Sequence, residues 1–450
     1  MNIICGRQQL LEGINIVLKA VPNKSTMEIL DCIVIEVKEG RIKLIANDLE
    51  IGIETIIEGR IIEEGSVAAG AKVLSEIVRK LPSDEVNINV DSNYTLNISC
   101  GKAKFNISAK SAEEFPFLPQ IYKENKIVIS QFTLKEIIRQ TVFSISDNEN
   151  TKVMTGELFE IHGDELKVVS LDGHRISIRK VILNETYGDV SVIIPGKTLN
   201  EIIKILSGGR DNNVNIFFAD KHVLFEFENT IVLSRLIEGE YYKIDKMLSS
   251  DYETKVTVNK REMLDCIDRT TLLIKESEKK PVIIDVKDNS MGFAINSSIG
   301  SMDEEIDAAK EGKDILIGFN PRFLMDALKV IDEEEITMYM INPKAPCFIR
   351  DKEETYIYLI LPVNFNVWYF NLINKMEEVF MENITIKDDF IKLGQALKLA
   401  GLVSSGIEAK IVVQDGEVKV NGETDTRRGR KLYAGDIFEY NGNKVTVSKA

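Results

Sequence analysis

The sequence is poor in the residues that most often carry chemistry. It has three histidines, His162, His174 and His222, far apart along 450 residues, which argues against a histidine-rich metal centre. Its five cysteines, Cys5, Cys32, Cys100, Cys266 and Cys347, are scattered, odd in number and never in C-x-x-C spacing. Reduced thiols are therefore expected, in place of disulfides or a zinc site. No P-loop spacing occurs, and no metal or cofactor is implied. No run of about 18 apolar residues is present, so no membrane span is expected. The opening MNIICGRQQL lacks the basic flank and small-residue cleavage site of a secretory signal. Basic residues are in deficit too: 56 Lys and Arg against 71 Asp and Glu, a net charge of −15. Taken alone, that deficit disfavours nucleic acid, which needs clustered cations. Net charge does not say, however, how the charges are sorted by face.

What the chain does have is repetition. AAGAKVLSEIVRKL (Ala68–Leu81) returns as IIPGKTLNEIIKIL (Ile193–Leu206) and, more loosely, as IGFNPRFLMDALKVI (Ile317–Ile331). The cations Lys72, Lys197 and Arg322 fall 125 residues apart in each step. Leu74, Leu199 and Leu324 recur in the same phase, as do Ile77, Ile202 and Ala327, and Leu81, Leu206 and Ile331. That apolar spacing predicts one buried helix face, with Glu76, Glu201 and Asp326 on the exposed side. A second helix repeats earlier in each copy and aligns Leu10, Leu134 and Met263. Between the helices, alternating segments broken by Glu-Gly, Gly-Asp and Asp-Asn read as antiparallel hairpins. A period this long means domains, not a solenoid. The expected fold class is α+β: three domains, each two helices on antiparallel sheet, over 1–122, 123–250 and 251–363.

The pattern stops after YLILPV. Residues 364–380 read as a linker unlike the repeat, and a small unit follows over 381–450. That unit has eleven Lys and Arg against ten Asp and Glu, so the acidity belongs to the triplicated body. It reads as a helix (FIKLGQALKLAGL), a second helix (SGIEAKIVVQDG), a strand (EVKVNG), a basic turn (DTRRGRK) and closing strands (DIFEYNGNKVTV).

Three copies of the unit, with AEEFPFLP closing the first, SLDGHRISI in the second and YLILPV ending the third, resemble the bacterial DNA polymerase III β sliding clamp over about residues 1–363. The resemblance implies a non-enzymatic processivity factor. Two chains close head to tail into a six-domain ring around duplex DNA, with every domain's helices turned inward. Lys24, Lys72, Lys197 and Arg322 then face the phosphates, with no sequence readout. It also implies a hydrophobic cleft that tethers DNA polymerase III subunits, the clamp loader and other replication and repair proteins. Carried over by motif, the cleft comprises Met154, Leu171, Asp172, Gly173, His174, Arg175, Ile176, Tyr242, Met247, Leu359, Ile360, Leu361, Pro362 and Val363. Tyr242 stands where the family often has proline. The location implied is cytoplasmic, at the nucleoid.

The last unit resembles an S4-type RNA-binding domain, which implies structured RNA as a partner and Lys398, Lys410, Arg427, Arg428, Arg430 and Lys431 as its basic surface. The whole chain reads as a gene fusion of clamp and S4-like module. Two other readings compete. One is a multidomain enzyme using Asp172 and His174; the other is an RNA-processing or ribosome-associated factor. A further expectation concerns the linker: Trp368, Tyr369 and Phe370, costly to leave in water, partly occlude the cleft.

Overall fold

The structure is a computed structural model that describes residues 1–450 except 83, 124, 249, 276–279, 366–381, 404, 442 and 450. Trp368, Tyr369 and Phe370, and with them the expected cleft occlusion, lie outside the described residues. The chain divides into two compact units, Met1–Val363 and Asn364–Ala450.

In the first unit the repeat becomes three pairs of helices. They are α1 (Arg7–Val17) with α2 (Ala71–Arg79), α3 (Gln131–Thr141) with α4 (Gly196–Ile205), and α5 (Lys260–Thr271) with α6 (Pro321–Val330). The periodic positions explain why they form: Leu10, Leu134 and Met263, and Leu74, Leu199 and Leu324, are fully buried. Each such side chain contributes roughly 1.5–3 kcal/mol by leaving water. The starts differ between copies. Asn320 caps α6 by accepting from the Arg322 N–H with Pro321 following, and Ser130 caps α3, whereas Gly70 and Pro195 offer no side-chain cap. A tie that the sequence did not reveal closes each pair. Arg7 donates to the Leu81 carbonyl at 2.8 Å, Lys135 to that of Leu206 at 3.2 Å and Lys260 to that of Ile331 at 2.7 Å. Each joins the first helix to the carbonyl just past the second, where cations are favoured.

The helices cover one face of antiparallel sheets, and smaller apolar clusters cover the other. Sheet pairing also joins the domains. Ile51–Ile57 pairs with Thr230–Arg235, and the start of Arg175–Pro195 pairs with Tyr356–Ile360. The two junctions are copies. The Arg235 N–H donates to Glu50 and the Leu361 N–H to His174, both at 2.9 Å. At the far ends, the Ile56 N–H donates to Asn229 and the Lys180 N–H to Thr355. At the second junction Arg139 adds a clamp between helices, donating to the Val330 carbonyl and pairing with Glu136 and Asp332.

The second unit has its own core around Leu393, Leu397, Val413 and Phe438. Its helices are α7 (Leu393–Leu399) and α8 (Gly406–Gln414). Two features depart from the expected order. Ile391–Lys392 pairs as strand with Lys431–Leu432, so α7 starts later than FIKLGQALKLAGL suggested. A strand at Glu382–Ile386, not anticipated, lies parallel to the last strand, Asn443–Lys449. Parallel pairing between segments far apart in the unit leaves no local turn signal to read.

Candidate nucleic-acid interface and partner cleft

Lys72, Lys197 and Arg322 are each the second residue of their helices, α2, α4 and α6, and all three are exposed. Lys24 is exposed on the loop after α1. A cation in a first turn opposes the helix dipole by about 0.3–1 kcal/mol. Local helix energetics therefore give no reason for a cation repeated at this position. The three differ in one respect. Lys197 is ion-paired to Asp48, whereas among the described residues no carboxylate pairs with Lys72 or Arg322.

The second junction builds the candidate cleft. In the turn between the strands Gly156–Leu171 and Arg175–Pro195, the Asp172 carboxylate accepts the N–H groups of His174 and Arg175 at 2.9 and 3.1 Å. Gly173 has φ +89°, the left-handed region that favours glycine. Below the turn, Met154, Leu171, Ile176 and Leu359 share one apolar cluster. Tyr241 is buried in it and its hydroxyl donates to the Val169 carbonyl at 3.3 Å, which leaves Tyr242 and Met247 exposed on the rim. Leu361 is exposed and joins the turn through its N–H, and Val363 donates to the Gly318 carbonyl at 2.8 Å. Pro362 lies between them, half-buried. Strand alternation sends Ile360 to the opposite face, into the core beneath α5 and α6, so it supports the trough without lining it.

Arg175 is not a free arm of the cleft. Its side chain is 9% exposed and donates to Asp172 at 2.9 Å, to Asp326 on α6 at 2.7 Å and to the Phe143 carbonyl at 2.7 Å. Its guanidinium lies 4.2 Å from the Phe323 ring centroid, and the His174 ring stacks on the same Phe323 at 6.1 Å. Asp326 is therefore an ion-pair partner as well as a residue of the half-exposed helix face. Phe323 was missed. Its only sequence signal is an aromatic where the other copies have Val73 and Thr198.

Three profiles of the DNA polymerase III beta subunit match the first unit in order: the N-terminal domain over residues 1–119, the central domain over 128–243 and the C-terminal domain over 245–364. The beta sliding clamp of Bacillus subtilis (strain 168) is 36% identical over 376 residues, spanning 81% of this chain and 99% of that protein. The chain belongs to the β sliding clamp family. Beta sliding clamps from Staphylococcus epidermidis are 33% identical over the same shares of both chains. Among solved structures, a DNA polymerase III beta subunit from Eubacterium rectale is 60% identical with a TM-score of 0.79, and the sliding clamp of B. subtilis is 35% identical with a TM-score of 0.78. Each match covers 81% of this chain and all of the other. A sliding clamp is a processivity factor and not an enzyme, so the enzymatic reading of Asp172 and His174 is set aside. The carboxylate of Asp172 is already committed to its own turn and to Arg175.

What this clamp adds to its relatives is the second unit, where an S4 domain profile matches residues 384–448. Its expected cations sit in three settings, and all but Arg430 are exposed. Arg427 and Arg430 both bind the buried Asp425 carboxylate. Those hydrogen bonds hold its pKa well below the usual carboxylate range. The Lys431 ammonium sits 4.1 Å from the Phe390 ring centroid. Lys398, Lys410 and Arg428 are exposed. The Arg428 carbonyl accepts from the Gly394 N–H at 3.1 Å, which anchors the basic turn to α7.

Proposed function

We propose that two copies of this chain close head to tail into a ring around duplex DNA, and that the ring carries an RNA-binding module. One observation supports this above others: both internal junctions use the same strand pairing, and one edge of each kind is left over. Among the described residues, Ala103–Ser108 pairs on one side only, with Thr95–Cys100, and Ser301–Asp307 pairs on one side only, with Ser290–Asn296. A third junction of the same type between chains uses both edges, and two such contacts close the assembly.

In the ring, Lys24, Lys72, Lys197 and Arg322 face the duplex and bind phosphate without reading sequence. The trough of Met154, Leu171, Ile176, Tyr242, Met247, Leu359, Leu361, Pro362 and Val363, roofed by Asp172, Gly173 and His174, takes apolar peptide segments. These come from DNA polymerase III subunits, the clamp loader and other replication and repair proteins. Arg175 and Ile360 support it from beneath. The S4 unit binds structured RNA through Lys398, Lys410 and Arg428, with Arg427, Arg430 and Lys431 shaping the turn. The protein works in the cytoplasm, at the nucleoid. The test is retention after loading: the protein should stay on nicked circular DNA and leave when the circle is cut. Equal retention on both forms overturns encirclement.

A further inference from the structure

We propose that Asp326 is a positioning residue for the partner cleft, holding the 172–175 turn in its peptide-binding geometry through Arg175. The inference rests on the cleft reading above and extends it to a residue outside the cleft, on α6.

The comparison of the two junctions carries the argument. Their turns are the same construction: the Asp48 carboxylate accepts the N–H groups of Glu50 and Ile51 as that of Asp172 accepts those of His174 and Arg175. The facing helices are equivalent too, with Lys197 and Glu201 on α4 where α6 has Arg322 and Asp326. The wiring is different. At the first junction the turn aspartate binds the helix cation Lys197 directly, and Glu201 pairs with Lys204 of its own helix at 2.8 Å. At the second, the turn aspartate binds Arg175, which reaches across to Asp326. Among the described residues, only the junction that builds the cleft has this relay.

The relay can hold geometry because it is three-sided. The guanidinium meets acceptors from the turn itself, from Phe143 after α3 and from Asp326 of the next domain, and its carbon lies 4.2 Å from the Phe323 ring centroid. A fork with a fixed plane and three directions of contact admits one orientation. That orientation sets the Arg175 backbone, and through it the neighbouring His174, whose ring stacks on Phe323 and whose carbonyl receives the Leu361 N–H. Removing the Asp326 charge leaves a largely buried guanidinium short of one anion, and the turn can then slacken.

The test uses the full-length dimer and a fluorescent peptide from the clamp-binding segment of the cognate polymerase subunit. Asp326→Asn should weaken peptide binding about tenfold, mostly through faster dissociation. Asp326→Glu, which keeps the charge, should recover most of that loss. The ring NMR signals of His174, one of only three histidines, should shift in Asp326→Asn without peptide and return in Asp326→Glu. Unchanged dimer mass and retention on circular DNA keep the effect local. Peptide affinity and His174 signals that stay at wild-type values in Asp326→Asn overturn the proposal. So does a loss that Asp326→Glu leaves unrepaired with His174 unmoved, since that pattern belongs to general damage. If the wild-type dimer does not bind the peptide, the cleft reading fails first and takes this inference with it.

Discussion

Lys197 donates to the carboxylate of Asp48 across the first domain junction, the acid almost wholly buried and the lysine largely in solvent. One of the three repeated cations is thus partly spoken for by the protein itself. The ammonium stays in solvent, where a phosphate can compete with the carboxylate for it.

Asp48→Asn keeps the oxygen that accepts the Glu50 and Ile51 N–H groups but loses the charge. Direct DNA binding should therefore tighten by up to about fivefold. The log–log salt dependence should steepen by roughly 0.9 per chain as Lys197 becomes free to release a counterion. Fluorescence anisotropy over a salt series measures both. A variant that binds DNA no better than wild type would show that Lys197 does not face the duplex.

The interface between chains can be predicted residue by residue. The hairpin with Cys100 opposite Ala103 corresponds to that with Phe227 opposite Thr230, and the turn with Asn296 opposite Ser301 to that with Asn47 opposite Gly52. Transferring the internal pairing of Ile53 with Val232 then sets Met302 opposite Phe105 of the partner subunit. Phe105→Cys combined with Met302→Cys should yield a covalent dimer on mild oxidation, and moving the second cysteine to Glu304 should not. The native thiols are buried and should not compete: burial pushes Cys5 up to about 11 and Cys266 up to about 12. Cross-linking that favours position 304 would refute the register.

Buried Glu157 predicts a pH dependence. Lack of solvation holds its carboxyl well above the usual carboxylate range, so the folded protein keeps a proton that the unfolded chain releases above about pH 4.3. The native state then binds more protons than the unfolded state, and stability falls as pH rises from that point toward the folded value. Glu157→Gln removes this slope. Its melting temperature should exceed that of wild type at pH 8 by about 3 °C or more, with the gap closing toward pH 4. A gap independent of pH, read by calorimetry across that range, would mean that Glu157 is not protonated in the fold.

The repeat itself was legible because helical periodicity is local: Leu74, Leu199 and Leu324 announce their burial within one turn of their neighbours. The cleft residues were carried over from a resemblance, motif by motif. What could not be read was wiring between distant segments. Nothing near Asp48 in sequence points to Lys197, and nothing near Arg175 points to Asp326. Ile360 was grouped with its neighbours because a motif is linear, whereas a strand turns alternate side chains to opposite faces. The parallel strand at Glu382–Ile386 was hidden for the same reason, its partner lying at the other end of the unit.

The S4 unit allows a ranking among its cations. Six cations read as one patch in the sequence, but the structure gives them different electrostatic value. Arg427 and Arg430 share the Asp425 carboxylate, which cancels part of their field toward a phosphate. Among the described residues, Lys398 and Lys410 are exposed with no ion pair, and Arg428, also exposed, lays its side chain along Gly394 and Gly406 at the starts of α7 and α8 with no carboxylate to offset its charge. Replacing these three with glutamine should therefore weaken binding of a structured RNA more than replacing Arg427 and Arg430, and should flatten the salt dependence by roughly one phosphate contact each. The pair at Asp425 should act on folding instead. Its carboxylate titrates below its unfolded value, so its stabilisation is present at neutral pH and lost as the solution is acidified. Asp425→Ala should consequently lower the melting temperature at pH 7 and make little difference in strong acid. Filter binding to a base-paired RNA hairpin and thermal melts at both pH values check the two halves. If Arg427 and Arg430 prove the dominant RNA contacts, the ion pairs to Asp425 open on binding and the ranking is wrong.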